Sequence, residues 1–300
     1  MTFLRNKVKS IHYHIMLMPA MVFLMIFTVK PLLGSVLAFK QLNPVKGIWG
    51  SEWVGFDNFE LIFNIPNIDR ILFNTVFIAV MKIIAQMVVP LAFALLLNEV
   101  RKMWFKRMIQ TIVYLPYFLS WVILAGIFRD IFAMDGVINK IAEGMFGIEP
   151  VMFLGSNRWF PFLMVGTETW KNFGFNAIVY LAALTNINPN LYEACDIDGG
   201  NRWKQLIHIT LPGIQPTVIL LATLSLQSIL NAGFEQILNF YNPLVYESGD
   251  ILDTYIYRMG LQNNQFELAT ALGLMKSAVG FMLILIAQKL ASRLADYRIF

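Results

Sequence analysis

Cysteine, histidine and charged residues are all scarce in this chain of 300 residues. A single cysteine, Cys195, excludes an internal disulfide and a cysteine-based metal cluster. The three histidines, His12, His14 and His208, are too scattered along the sequence to indicate a zinc site. Charged residues make up 14% of the sequence, against about 25% in soluble domains, which excludes a water-soluble globule.

Nucleotide-binding and catalytic motifs are also missing from the sequence. It contains no GxxxxGK[ST] phosphate loop and no GxGxxG segment after a strand. Paired aspartates and a HExxH helix are absent from the apolar segments, so an intramembrane enzyme is not indicated. The net charge of +4 does not indicate nucleic acid binding, because membrane proteins keep basic residues for orientation. We therefore expect no enzymatic activity and no cofactor bound by this chain.

Hydrophobic residues dominate instead, at 57% of the sequence with a mean hydropathy of +0.61. A helix that crosses the roughly 30 Å hydrocarbon layer needs about 20 apolar residues. Six segments meet this length and predict an all-α integral membrane protein, a single domain over residues 1–300. The predicted spans cover approximately residues 12–39, 71–98, 107–130, 159–187, 209–238 and 266–290.

Basic residues between these spans predict their orientation. Twelve Lys and Arg residues fall on the side of the N-terminus and seven on the opposite side. Since Lys and Arg collect in short cytoplasmic loops, we expect both termini in the cytoplasm. A cleaved signal peptide is the alternative for the first span, because Arg5, Lys7 and Lys9 precede an apolar stretch, but no clear small-residue cleavage site follows.

The segment between predicted spans four and five is the most informative part of the sequence. Asn188 can cap a helix that has Pro189 at its first position, and Asn201 can cap a second helix. Gly199-Gly200 separates the two, so we predict two short cytoplasmic helices around a hinge. A helix pair that is apolar on one side and charged on the other is suited to docking a partner.

A pattern of seven residues stands out in this loop, which covers residues 188–212. The pattern consists of Glu193, Ala194, Asp198, Gly199, Ile209, Leu211 and Pro212. In this spacing it resembles the EAA loop of the membrane subunits of binding-protein-dependent ABC importers. A third small residue usually follows Glu-Ala in that family, and Cys195 fills its place here. The resemblance implies that the loop couples the chain to a separate ATPase, with Glu193 as the ionic contact and Gly199 as the bend.

Motifs outside the loop extend the resemblance along nearly the full chain. They are Asn43-Pro44, Gly47-Ile48-Trp49-Gly50, Trp53-Val54-Gly55 and Asn58-Phe59 near the start, and Gly249-Asp250, Asp253-Thr254-Tyr255 and Ala269-Thr270-Ala271 near the end. These motifs look like those of LplB-like oligosaccharide permeases, which are related to the maltose-type permeases. The resemblance implies a type I ABC importer permease fold, a bacterial cytoplasmic (inner) membrane location, and import of plant or algal oligosaccharides. It does not identify the sugar.

Importers of this kind are assemblies, and the resemblance therefore implies partners. A second homologous permease subunit, two ATPase subunits and an extracellular solute-binding protein are expected. ATP and Mg would be bound by the partner ATPase and not by this chain. The oligosaccharide itself and membrane lipid are the other expected partners.

Charged residues inside the predicted spans also suggest roles, because each costs about 2.5–3.5 kcal/mol at the bilayer centre on insertion scales. Glu168 and Lys171 are three residues apart on one helix, which predicts that they neutralise each other as a structural or gate-stabilising pair. Lys82 and Lys276 can either snorkel or pair with a neighbouring subunit, and the sequence does not decide between these alternatives.

The fifth predicted span carries a polar face that is typical of sugar binding. Gln227, Asn231, Phe234 and Glu235 follow helical spacing and combine amide and carboxylate groups with an aromatic ring. We predict that this face lines the substrate path, with packing between subunits as the alternative. Further candidates for the path are Trp170, Phe173 and Asn176 on span four, and Tyr117 and Trp121 on span three.

Taken together, these features predict a permease subunit that moves oligosaccharides by ATP-driven alternating access. The first alternative is an ion-coupled secondary transporter of a small polar solute, which would use Glu168 and Glu235 as protonatable sites. It leaves the loop at 188–212 unexplained. The second is a membrane receptor or scaffold, which needs docking surfaces but no polar groups inside its spans.

Overall fold

The computed structural model describes residues 2–294, with side chains from Tyr13 onward except those of Gln227, Ala287 and residues 290–294. Within this described part the chain is helical apart from one two-stranded antiparallel sheet. It divides into two compact units. The first comprises Met1–Pro66 with Ile256–Met275, and the second comprises Asn67–Tyr255 with Lys276–Phe300.

The first unit begins with a continuous helical run and ends in a short hairpin. The run consists of α1 (Thr2–Leu24), a π turn (Met25–Val29), α2 (Lys30–Leu33) and a 3₁₀ segment (Gly34–Phe39). The hairpin and its surroundings are β1 (Lys40–Gln41), α3 (Gly47–Gly50), β2 (Glu52–Trp53) and α4 (Asp57–Phe63). Lys40 lies opposite Trp53 in the sheet, and the ring of Phe39 stacks on Trp53. Buried Asn58 donates to the carbonyls of Ala38 and Lys40, which fixes the hairpin on α4.

The remaining helices follow in one series. They are α5 (Ile68–Asn98), α6 (Met103–Tyr114), α7 (Trp121–Ile131), α8 (Val137–Phe146), α9 (Phe160–Thr185), α10 (Pro189–Ile197), α11 (Arg202–Gln205), α12 (Leu211–Ser225), α13 (Phe234–Phe240), α14 (Tyr246–Gly249), α15 (Leu252–Tyr257) and α16 (Phe266–Leu294). α5 packs along α9 in the second unit. One core cluster is built around Ile78, Met164 and Ile237, and another around Tyr180 and Ile214.

Four helical runs among the described residues are long and apolar enough to cross a bilayer by length and composition. They are Tyr13–Phe39, Ile68–Asn98, Arg202–Ser225 and Phe266–Ile286. A fifth results if Met103–Phe118 and Trp121–Ile131, which are bent by 104°, form one span. The segment predicted as span four is the 26-residue helix α9, which is not among these runs. Its polar residues, including Glu168 and Lys171, lower its hydropathy.

The fifth predicted span is not one continuous helix. α12 ends at Ser225, a 3₁₀ turn covers Leu226–Ser228, and α13 starts only at Phe234. Gly233 precedes α13 with φ +89°, in the left-handed region that side chains disfavour. The prediction of a single helical face through Gln227, Asn231, Phe234 and Glu235 is therefore wrong, because these residues do not belong to one continuous helix.

The third predicted span is bent as well. Pro116 lies in the 3₁₀ turn Leu115–Phe118, and Ser120 starts a new helix by accepting a hydrogen bond from the Ile123 amide at 3.4 Å. Tyr117 and Trp121 consequently lie on different arms of the bend, yet both rings lie beside the Lys171 ammonium, 5.4 Å and 5.6 Å from Nζ.

Candidate functional site

A partly open cavity of about 480 Å³ lies among α5, α9, α12 and the segment before α13. Its apolar lining includes Ile83, Met87 and Leu221. Its polar lining consists of Lys82, Gln86, Glu168, Asn176, Ser225, Ser228 and Asn231. Amides, hydroxyls and a carboxylate on an apolar background are suited to hydrogen bonding a polyhydroxylated molecule.

Both lysines for which the sequence left two possibilities pair within the chain. The Lys82 side chain is 7% exposed, and its Nζ lies 3.5 Å from Oε2 of Glu168. The same Nζ donates to the Ala232 carbonyl at 2.7 Å. Lys276 forms an ion pair with Asp253. Snorkelling and pairing with another subunit were the two expected arrangements, and these contacts correspond to neither.

The predicted pair between Glu168 and Lys171 is wrong. Glu168 faces Lys82, whereas Nζ of Lys171 donates to the Tyr117 carbonyl at 3.0 Å. The same ammonium lies 5.4 Å from the centre of the Tyr117 ring. Helical spacing brought the two charges to one side of α9, but partners from neighbouring helices offer each of them a better contact. The bend after Tyr117 frees the carbonyl that Lys171 occupies.

Two of the predicted path residues line the cavity. Asn231 belongs to its wall, and Asn176 also lines it while donating through Nδ2 to Oε1 of Gln86 at 3.2 Å. Gln227 was predicted too, but its side chain lies outside the described residues. The sequence missed Gln86, Ser225 and Ser228, which carry no signal beyond being polar in an apolar segment.

The other predicted path residues, Phe234, Glu235, Trp170, Phe173, Tyr117 and Trp121, are not part of the cavity lining. Several of these aromatic rings pack against other rings of the chain. Tyr117 stacks on Phe175 with the ring centres 3.9 Å apart, and Phe173 meets Phe93 edge to face. These ring contacts pack α9 against neighbouring segments.

The loop at 188–212 has the two helix starts that the sequence predicts. Oδ1 of Asn188 accepts a hydrogen bond from the Asn190 amide at 3.0 Å at the start of α10. Oδ1 of Asn201 accepts one from the Lys204 amide at 2.9 Å at the start of α11. These two caps confirm the predicted helix starts. The prediction of a second short helix is wrong, because α11 continues through a π turn at Leu206–Thr210 into α12.

Two adjacent glycines make the hinge between α10 and α11 for different reasons. Gly199 has φ +73°, a conformation that favours glycine. Gly200 instead lies against Cys195, where an added Cβ would clash with Sγ and would be 2.8 Å from the carbonyl oxygen. The tight turn thus needs conformational freedom at the first position and space at the second.

The loop is tied to the end of α5, yet it leaves Glu193 accessible. Arg202 forms an ion pair with Glu99 at 2.6 Å, and the Tyr192 hydroxyl lies 3.0 Å from Oγ1 of Thr210. Glu193 is exposed, and it has no hydrogen bond or ion pair within the part of the chain that the structure describes. The other loop positions singled out by the sequence, Ala194, Asp198, Gly199, Leu211 and Pro212, are exposed too. This surface is open to a partner.

The same loop connects two walls of the cavity. α9 carries Glu168 and Asn176 and ends at Thr185, just before the loop. α12 starts at Leu211 and carries Ser225. A displacement of the loop therefore acts on both helices at once.

Comparison with known proteins gives one consistent result. Residues 86–296 match the family model described as "Binding-protein-dependent transport system inner membrane component". Protein LplB of Bacillus subtilis (strain 168) is 42% identical over 93% of this chain and 88% of its own length. The polygalacturonan/rhamnogalacturonan transport system permease protein YteP of the same organism is 37% identical over 96% of this chain and 90% of its own length.

Solved structures agree with these relatives. A chain in the crystal structure of a bacterial ABC transporter involved in the import of the acidic polysaccharide alginate is 36% identical and superposes with a TM-score of 0.88. The match covers 98% of this chain and 99% of that chain. A chain in the crystal structure of a bacterial alginate ABC transporter in complex with alginate pentasaccharide-bound periplasmic protein matches with a TM-score of 0.88 and 35% identity.

Proposed function

Because this chain belongs to the family of binding-protein-dependent transport system inner membrane components, we propose that it imports fragments of plant or algal polysaccharides as one permease subunit of an ABC importer. It has the helical fold of a type I ABC permease, and ATP is hydrolysed by a separate ATPase subunit. An ion-coupled secondary transporter is not favoured, because that class does not account for the family match.

The proposed assembly contains this chain, a second homologous permease, two ATPase subunits and a solute-binding protein in the bacterial inner membrane. ATP and Mg bind at the ATPase. The proposal includes six spans with both termini in the cytoplasm. They are the four apolar runs, the bent segment 103–131 counted as one span, and α9. Its polar residues Glu168 and Asn176 line the cavity, which supports a membrane-embedded α9 despite its modest hydropathy.

One observation carries the proposed mechanism, namely that the loop at 188–212 joins α9 and α12. We infer that Glu193, Ala194, Asp198 and Gly199 dock on the ATPase, and that Leu211 and Pro212 transmit its movement into α12. Closure of the ATPase pair then shifts both cavity walls together and changes the side on which the cavity opens. The sugar passes through the cavity that Asn176 and Asn231 help to line.

Reconstitution in lipid vesicles tests this function. The complete complex with its binding protein is expected to accumulate labelled oligosaccharides only when ATP is supplied on the ATPase side. The panel should contain galacturonate and alginate oligosaccharides together with neutral arabino-oligosaccharides. Uptake driven by an ion gradient without ATP, or uptake of none of these sugars, would contradict the proposal.

Asn231 and Glu235 form a matched pair for testing the path. Asn231 lines the cavity, whereas Glu235 is exposed on α13 outside it. Asn231→Ala should lower the uptake rate severalfold, since a neutral hydrogen bond contributes about 0.5–1.5 kcal/mol. Glu235→Ala should transport close to the wild-type rate. The measurement is the initial uptake rate per ATPase-competent complex. A larger loss for Glu235→Ala than for Asn231→Ala would mean that the sugar does not pass through this cavity.

A further inference from the structure

The break before α13 releases a backbone carbonyl inside a proposed span. Ala232 is fully buried. Water cannot pair with such a group in the hydrocarbon layer, so a protein donor has to do so. That donor is Nζ of Lys82 on α5, 2.7 Å from the carbonyl oxygen. The Lys82 ammonium on the continuous helix α5 thus pairs with the carbonyl released at the break before α13.

Two hydrogen bonds and one ion pair surround this ammonium. Besides the Ala232 carbonyl, Nζ donates to Oε1 of Gln236 and lies 3.5 Å from Oε2 of Glu168. Gln236 is itself held through Nε2 by the Met164 carbonyl at 2.9 Å. Lys82 therefore ties α5 to α9 and to α13, and Glu168 already compensates the charge of its ammonium beside the cavity.

Gly233 shows how closely the broken segment fits around Lys82. A Cβ on Gly233 would lie 2.7 Å from Nζ, and φ at this position is +89°. The Gly233 amide donates to Oδ1 of Asn231 at 3.3 Å, so the conformation of the break also fixes this cavity side chain. The position of Asn231 is consequently linked to the contact between Lys82 and Ala232.

We propose that Lys82 is a positioning residue, which holds the break before α13 so that Asn231 faces the cavity, and that it does not bind charge on the sugar. The proposal rests on the proposed function, because it concerns the path through the same cavity. It assigns recognition at this wall to the uncharged amides and hydroxyls, so the wall treats acidic and neutral sugar units alike.

Lys82→Met provides the first test in the complete reconstituted transporter. The readout is the number of sugar molecules imported for each ATP hydrolysed. A merely structural defect reduces the amount of active complex and lowers transport and hydrolysis together, which leaves this ratio unchanged. Loss of a hydrogen bond from a charged donor shifts the equilibrium between the held and released conformations of the break by about tenfold or more. We therefore expect the number of sugar molecules imported per ATP to fall by about tenfold. Acidic and neutral oligosaccharides should be affected equally.

A double variant separates charge from position. In Lys82→Met the carboxylate of Glu168 stays buried without its counter-charge, which should reduce the yield of assembled complex. Adding Glu168→Gln removes this uncompensated charge and should restore the yield. The Ala232 carbonyl remains without its donor, so the ratio should stay low.

Gly233→Ala is expected to break the hydrogen bond between Lys82 and the Ala232 carbonyl while both Lys82 and Glu168 keep their charges. Its Cβ would displace Nζ of Lys82, and we expect the same loss of the ratio. Gly144→Ala is the matched control, because Gly144 lies on α8 with nothing within 4 Å of an added Cβ. It should retain the wild-type ratio.

Three results would overturn the proposal. They are a wild-type ratio in the double variant, a wild-type ratio in Gly233→Ala, and a loss in Lys82→Met that is confined to acidic sugars. The last result would make Lys82 a carboxylate-binding group. If the wild-type complex imports no oligosaccharide with ATP, the proposed function fails instead, so the two failures are distinguishable.

Discussion

Glu193→Lys should strip the ATPase from the purified complex, whereas Glu193→Gln should retain much of it. The Glu193 carboxylate is exposed and has no ionic or hydrogen-bond partner within the described residues. We expect a basic group on the ATPase to pair with this carboxylate. A charged hydrogen bond contributes roughly 1.5–3 kcal/mol, so its reversal should weaken association by about tenfold or more. Copurification of the ATPase and sugar-stimulated ATP hydrolysis measure the effect.

Glu143→Lys is the control for this charge reversal. Glu143 is an exposed acid on α8, outside the loop at 188–212, so it undergoes the same chemical change without touching the proposed docking surface. ATPase copurification should match the wild type. Equal copurification for wild type, Glu193→Lys and Glu193→Gln would mean that Glu193 is a solvated residue and that docking uses another part of the loop.

The loop could be predicted in detail because its signals are local. A cap such as Asn188 acts on amides two or three residues away, and Pro189 and Gly199 act on their own backbone. The EAA pattern identified the surface in the same short stretch. Only the reason for Gly200 needed coordinates, since its contact with Cys195 depends on how tightly the turn closes.

The cavity could be predicted only in part, because it is made by side chains far apart in the sequence. Asn176 and Asn231 were recognisable as polar residues in apolar segments. Their neighbours in space come from other helices, as the contact between Asn176 and Gln86 shows. The break at Gly233 was missed for a related reason. The helical spacing of the polar residues around it favoured one continuous helix, and a lone glycine is tolerated inside many membrane helices.

Charge pairing shows the same limit. Spacing on one helix favoured Glu168 with Lys171, but it carries no information about α5, which brings Lys82 to the same carboxylate. The cost of burying charge correctly indicated that each group needs a partner. Which partner it meets depends on helix packing and on carbonyls released at breaks, such as those of Tyr117 and Ala232.

Ser225→Phe should abolish sugar import while leaving the complex assembled. Ser225 lies at the end of α12 and lines the cavity of about 480 Å³. The cavity has room for an aromatic ring, so the substitution fills space that is open and does not overpack the core. A ring there competes with a sugar unit for the same volume. We expect uptake to fall to the level of vesicles without binding protein, with basal ATP hydrolysis and ATPase copurification retained.

Ser225→Ala isolates the steric effect from the loss of the hydroxyl. Oγ of Ser225 donates to the Ala222 carbonyl of its own helix at 2.8 Å, so its removal leaves no buried donor unpaired. This variant should import at close to the wild-type rate. If Ser225→Phe also imports normally, the sugar does not pass through this cavity and the path lies along another face of the chain. A loss in both variants with an intact complex would instead make the hydroxyl a direct sugar contact.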